Sequence, residues 1–125
     1  MFEKLKIKMF GDQPTPNITD KILDRIIEKD YSNDFHEIKK KLELIESDSK
    51  KGKNRFAAAV LKLADRDLTK IDSLIEVCNN DFRDVIMQAE YPRTYKDDFD
   101  DMDEVEEKNA YLDDWTDYLK WLNKY

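Results

Sequence analysis

The sequence predicts an all-α fold, a compact bundle of five to six helices, and three observations predict it. Apolar residues recur at helical spacing from Ile18 to Leu122. Only two glycines and three prolines punctuate 125 residues, whereas β-sandwiches and barrels need many residues that accept positive φ in their hairpins. Charged residues make up 41 % of the chain, with both signs interspersed, as on the solvated faces of surface helices. A chain of this length holds one domain around one core. Residues 1–125 are therefore read as a single helical domain, with 1–16 as an N-terminal arm and 96–108 as an acidic connector into the last helix.

At the start, Lys4-Leu5-Lys6-Ile7-Lys8-Met9 alternates as a half-buried strand does, yet Phe2, Leu5 and Met9 also share one helical face. A short strand and a helix both stay open here. Pro14 and Pro16 make the next residues a loop. Asn17 is placed to cap a helix with Ile18, Ile22, Ile26 and Ile27 on one side. Asp34 and Glu37 form a capping-box pattern ahead of Phe35, Ile38, Leu42 and Ile45. Ser47 to Asn54 reads as a polar turn around Gly52. Phe56 to Ala64 is apolar nearly all round, which marks a central helix whose alanines let neighbours come close.

Thr69 and Asp72 suggest a further capping box, with Ile71, Leu74, Ile75 and Cys78 inward until Asn79-Asn80. Asp81 to Glu90 gives another helix, with Phe82, Val85, Ile86 and Ala89 inward and Pro92 closing it. In the last helix Val105, Leu112, Trp115, Leu119 and Leu122 follow a heptad-like spacing that predicts the core-facing stripe. Tyr111, Tyr118 and Tyr125 repeat every seven residues beside it, with Trp121 nearby.

Charge narrows the choice of partners. The chain carries −7 overall, but residues 1–62 hold fourteen Lys/Arg against eleven Asp/Glu, and residues 63–125 hold eight against eighteen. An acidic half of this kind repels phosphates and suits a basic protein partner, so direct nucleic-acid binding is not expected. The absence of a long apolar run argues against a membrane span or a signal peptide. One cysteine, Cys78, permits no intrachain disulfide, which fits a reducing, cytoplasmic setting.

The residues Leu61-Lys62-Leu63-Ala64, Leu68, Ile75-Glu76, Asp81-Phe82-Arg83-Asp84-Val85 and Ala89-Glu90-Tyr91-Pro92-Arg93 form a recognisable series. Over Ala59 to Arg93 the chain resembles a set of small uncharacterised bacterial proteins with a DYRDV…AEYP signature, with Phe82 standing where tyrosine is commoner. The resemblance implies a compact helical unit of bacterial or phage type and no particular chemistry.

No constellation makes an enzyme. His36 is the only histidine, and a helix's first turn disfavours its charged form; a solvent-facing or packing role is expected. Cys78 lies on an apolar face and reads as a small hydrophobe. Arg83 with Asp81 and Asp84 is expected to be a helix-end ion pair, while Tyr91 and Arg93 stay open between structure and binding. Counting EF-hand positions from Asp98 or Asp101 puts neither glycine sixth nor glutamate twelfth, so no calcium loop is expected. No metal or cofactor is predicted.

The remaining signal is the acidic run with the aromatic flank of the last helix. Asp97, Asp98, Asp100, Asp101, Asp103, Glu104, Tyr111, Asp114, Tyr118 and Trp121 match the aromatic core and charged rim of protein interfaces. They are the expected partner-binding residues of a small acidic cytosolic protein that inhibits or neutralises a partner, as an immunity protein, antitoxin or phage-type inhibitor does. The alternative is a homo-oligomeric structural or regulatory subunit without catalytic activity, a homodimer included.

Overall fold

A computed structural model describes residues 16–93 and 104–125. Among them are six α-helices, one short 3-10 turn and no strand, so the all-α bundle is the fold. The expected arm and the expected acidic connector lie mostly outside the described residues.

Helix α1 (Asp20–Asp30) begins at Thr19, whose hydroxyl accepts from the Ile22 amide at 3.2 Å. Thr19, rather than the expected Asn17, satisfies the free amides of the first turn. Leu23, Ile26 and Ile27 are buried and Ile22 only partly so. A 3-10 turn (Ser32–Asp34) leads into α2 (Phe35–Leu42), where Ile38 and Leu42 point inward. Asp34 stands at the expected N-cap position, but its side chain makes no capping hydrogen bond.

Helix α3 (Lys50–Ala64) is longer than expected. Lys50 to Asn54, the second part of the stretch expected to be a turn, opens the helix: Ser49 caps it, accepting from the Gly52 amide at 3.0 Å. A Cβ on Gly52 would stand 2.6 Å from the Ser47 hydroxyl oxygen, so glycine here permits a close approach of the loop rather than a bend. Ala57 through Leu61 and Ala64 are buried, and α3 packs against α1, α4 and α5 as the central helix. It ends in left-handed backbone at Asp65 and Arg66, with φ of 49° and 70°. The Tyr31 hydroxyl accepts from the Arg66 amide and donates to the Leu61 carbonyl, holding that corner.

Helix α4 (Leu68–Asn80) is capped by Asp67, which accepts from the Thr69 amide. The expected Thr69 box is displaced by two residues. Asp81 ends α4 and caps α5 (Phe82–Glu90) in one step, accepting from the Arg83 amide at 3.1 Å. Val85, Ile86 and Ala89 are buried as expected. Phe82 is not: it is half-exposed and stacks on Phe56.

Helix α6 (Glu104–Asn123) packs on α5. Its end is tied back to α1, where the Tyr125 hydroxyl donates to Asp30 at 2.7 Å and Arg25 donates to the Tyr125 carbonyl. Here the sequence expectation is reversed. Val105, Leu112 and Leu119 face solvent at 66 %, 46 % and 38 % exposure, whereas Tyr111, Asp114 and Tyr118 are buried. Trp115 and Leu122, from the same expected stripe, are partly buried at its edge.

Candidate interaction surface

The face α6 turns inward is built from charge and aromatic rings. Glu90, at the end of α5, is fully buried and accepts two hydrogen bonds from Arg55 of α3 at 2.8 and 2.9 Å. This two-pronged geometry is what makes a buried ion pair tolerable. Burial works against the Arg55 charge, but hydrogen bonding to Glu90 and its negative charge outweigh it, and the guanidinium pKa ends above its ordinary value. Beside the pair, Tyr91 stacks on Tyr111 with centroids 4.9 Å apart and rings almost parallel, and Trp115 continues the stack.

Asp114 is 1 % exposed and accepts from both the Arg93 amide and the Arg93 guanidinium, at 3.2 and 3.0 Å. A second Arg93 nitrogen reaches Asp117 at 2.6 Å. These two hydrogen-bonded carboxylates hold the Arg93 pKa above its usual value. Tyr118 is wholly buried, with the Lys62 ammonium 5.2 Å from its ring centroid, within cation–π range. Lys62 donates to the Ala89 carbonyl. Desolvation lowers the Lys62 pKa despite the nearby carboxylates. The Tyr118 hydroxyl has no hydrogen-bond partner among the described residues.

Burial pushes the phenols of Tyr91, Tyr111 and Tyr118 upward in pKa. They are neutral near pH 7 and act as packing and hydrogen-bonding groups. Of the expected partner-binding residues, then, Tyr111, Asp114 and Tyr118 belong to the domain's own interior, and Trp121 is partly buried against the main core. The reason is local: Arg93, Lys62 and Tyr91 supply partners for an acidic, aromatic face. Glu104 opens α6. Asp97, Asp98, Asp100, Asp101 and Asp103 lie outside the described residues.

Other sequence candidates resolve quietly. Arg83 pairs with its own helix cap, Asp81, and His36 is exposed with its ring against Phe35. Tyr91 and Arg93 hold α6 in place. Burial pushes the Cys78 thiol up to about 11, making it a poor nucleophile at neutral pH. Cys78 borders an open cleft of about 610 Å³ at the start of α3, with Ser47, Ser49, Lys51, Arg55 and Phe82 among its walls. Among the described residues no three His, Cys, Asp or Glu side chains gather as a metal site, and no helix is long and apolar enough to cross a membrane.

What α6 leaves outside is an aliphatic row. Val105, Leu112 and Leu119 stand one above the other at seven-residue intervals, bordered by exposed Lys108, Asn109, Thr116 and Lys120, with Glu106, Asp113 and Asp117 further round. No family model, curated protein or solved structure matches the chain. The resemblance over Ala59 to Arg93 thus rests on its own residues.

Proposed function

We propose that this chain is a small acidic binding protein, without catalytic activity of its own, that engages another protein through the outer face of α6. The observation that supports this reading is the exposed row Val105, Leu112 and Leu119 on a helix whose opposite face is fixed by the domain. Three aliphatic side chains at heptad spacing form half of a helix-on-helix seam. Leaving them in water costs about 25 cal/mol per Å² of apolar surface, which a docking helix recovers. The acidic balance of residues 63–125 adds long-range attraction for a basic partner. Inhibition or neutralisation of such a partner, in a bacterial or phage setting, is the cellular role that suits these features.

Site-specific photo-crosslinking tests the reading. A crosslinker at Val105, Leu112 or Leu119 is expected to trap a protein in the source cell, with adducts that fade at high salt. A crosslinker at exposed His36 on α2 is the control. Equal yields from both helices, or none from α6, would overturn the assignment.

A further inference from the structure

The outer face of α6 also has the symmetry of a surface that pairs with itself. We infer that, when no other partner is present, this face is covered by a second copy of the chain. The two α6 helices run antiparallel, with Leu112 at the two-fold axis. The inference rests on the reading of α6 as a docking surface and names one occupant of it.

The aliphatic row is the first support. Val105 and Leu119 lie seven residues to either side of Leu112. A two-fold axis at Leu112 in an antiparallel pair therefore sets Val105 level with Leu119 of the second copy, and Leu119 level with its Val105. Three aliphatic layers result, which is the self-complementarity that a two-fold contact demands.

Charge is the second support, through the complementarity of one flank. Glu106 and Lys120 lie on the same flank of the row, six residues before Leu112 and eight after it, and both are exposed. Antiparallel pairing brings Lys120 within two residues, about 3 Å along the axis, of Glu106 of the second copy, and does so twice. In a parallel two-fold pair the same flank of each helix lies on opposite sides of the seam, so Glu106 and Lys120 do not meet. Between the charges, exposed Asn109 comes level with Thr116 of the second copy, so that stretch is neutral. On the opposite flank Lys108 comes level with the ring of Trp115 of the second copy, a cation–π approach. Asp113 comes within two residues, about 3 Å along the axis, of its own image in the antiparallel pair, which weakens it.

Thiol crosslinking in solution reads this geometry directly, because the one natural cysteine, Cys78, is buried. With a short bis-maleimide, Leu112→Cys is expected to give covalent dimers. Val105→Cys is expected to give almost none, since its image lies about 21 Å away, while the Val105→Cys/Leu119→Cys double variant crosslinks. Equal dimer yields from Leu112→Cys and Val105→Cys would overturn the antiparallel pair. Sedimentation equilibrium of the unaltered chain is expected to show a reversible dimer, weakened about ten-fold or more by Leu112→Lys. Lys120→Glu is expected to weaken it about three-fold, and adding Glu106→Lys to restore it. A strictly monomeric chain whose outer face still crosslinks another protein would overturn self-pairing alone; loss of both would also remove the docking reading.

Discussion

On its inner face α6 buries Tyr111, Asp114 and Tyr118, and on its outer face it exposes Val105, Leu112 and Leu119. The more polar set is inside and the aliphatic set is in water. Hydrophobicity ranked residue by residue predicts the opposite. The difference teaches that a helix face is buried according to what stands across from it. Opposite α6 are Arg93, Lys62, Tyr91 and the Arg55–Glu90 pair, and an aliphatic row laid on them would take Asp114 and Asp117 from Arg93 and the Tyr118 ring from Lys62. Charge left there without partners costs several kcal/mol, comparable with leaving two leucines and a valine partly in water.

The comparison breaks first where the inner face is emptied. Tyr118→Ala is expected to destabilise the domain by about 3–5 kcal/mol, since it removes a wholly buried ring and leaves a cavity. Glu90→Gln is expected to cost about 3 kcal/mol, because Arg55 then stays mostly buried beside a neutral amide. Urea denaturation followed by circular dichroism measures both. A loss under 1 kcal/mol in either would mean that the inner face is not where the helix is held.

Alkaline pH tests the same face without mutation. Tyr31, Tyr91, Tyr111, Tyr118 and Tyr125 have pKa values raised above the usual 10.0 in the folded chain. A group of this kind keeps its proton in the fold after the unfolded chain has released it. Its stabilising contribution is complete below pH 10 and declines as pH rises beyond. Lys62 works the other way: its lowered pKa imposes a penalty that is relieved as pH climbs toward its ordinary value of 10.5. Five phenols against one amine leave a net loss. Thermal melts from pH 8 to 12 should show a melting temperature that falls beyond pH 10, with tyrosinate absorbance appearing together with unfolding.

Smaller effects sharpen the contrast. Tyr118→Phe removes a buried hydroxyl without a partner and is expected to change stability by less than about 1 kcal/mol, toward greater stability. The gap between the Phe and Ala variants then isolates the ring from its oxygen. At the outer face, Leu112→Lys is expected to alter folding stability by no more than about 0.5 kcal/mol. Its effect belongs to association, so stability and binding should separate cleanly at this residue and move together at Tyr118.

Helix existence was largely legible, because it follows from apolar spacing and from few breakers; the all-round apolar run Phe56 to Ala64 even marked the central helix. Caps were less legible. Asn17, Asp34 and Thr69 are good capping residues by type, yet Thr19, Ser49, Asp67 and Asp81 make the capping hydrogen bonds among the described helices. Several acceptors compete within a few residues, and backbone geometry selects one. The Arg55–Glu90 pair spans 35 positions and was missed. Its one available signal was Glu90 four residues after inward Ile86, on the apolar side of α5.

By itself the sequence determined the all-α class, the central place of the alanine-rich helix and the acidic second half, since each depends on local propensity, periodicity or a sum of charges. Tertiary structure alone decided which way α6 turns. Two stripes with the same seven-residue repeat run along that helix, and periodicity cannot rank them. The choice was made by the charges and rings that α3 and α5 bring to its inner side, and it left the aliphatic stripe outside.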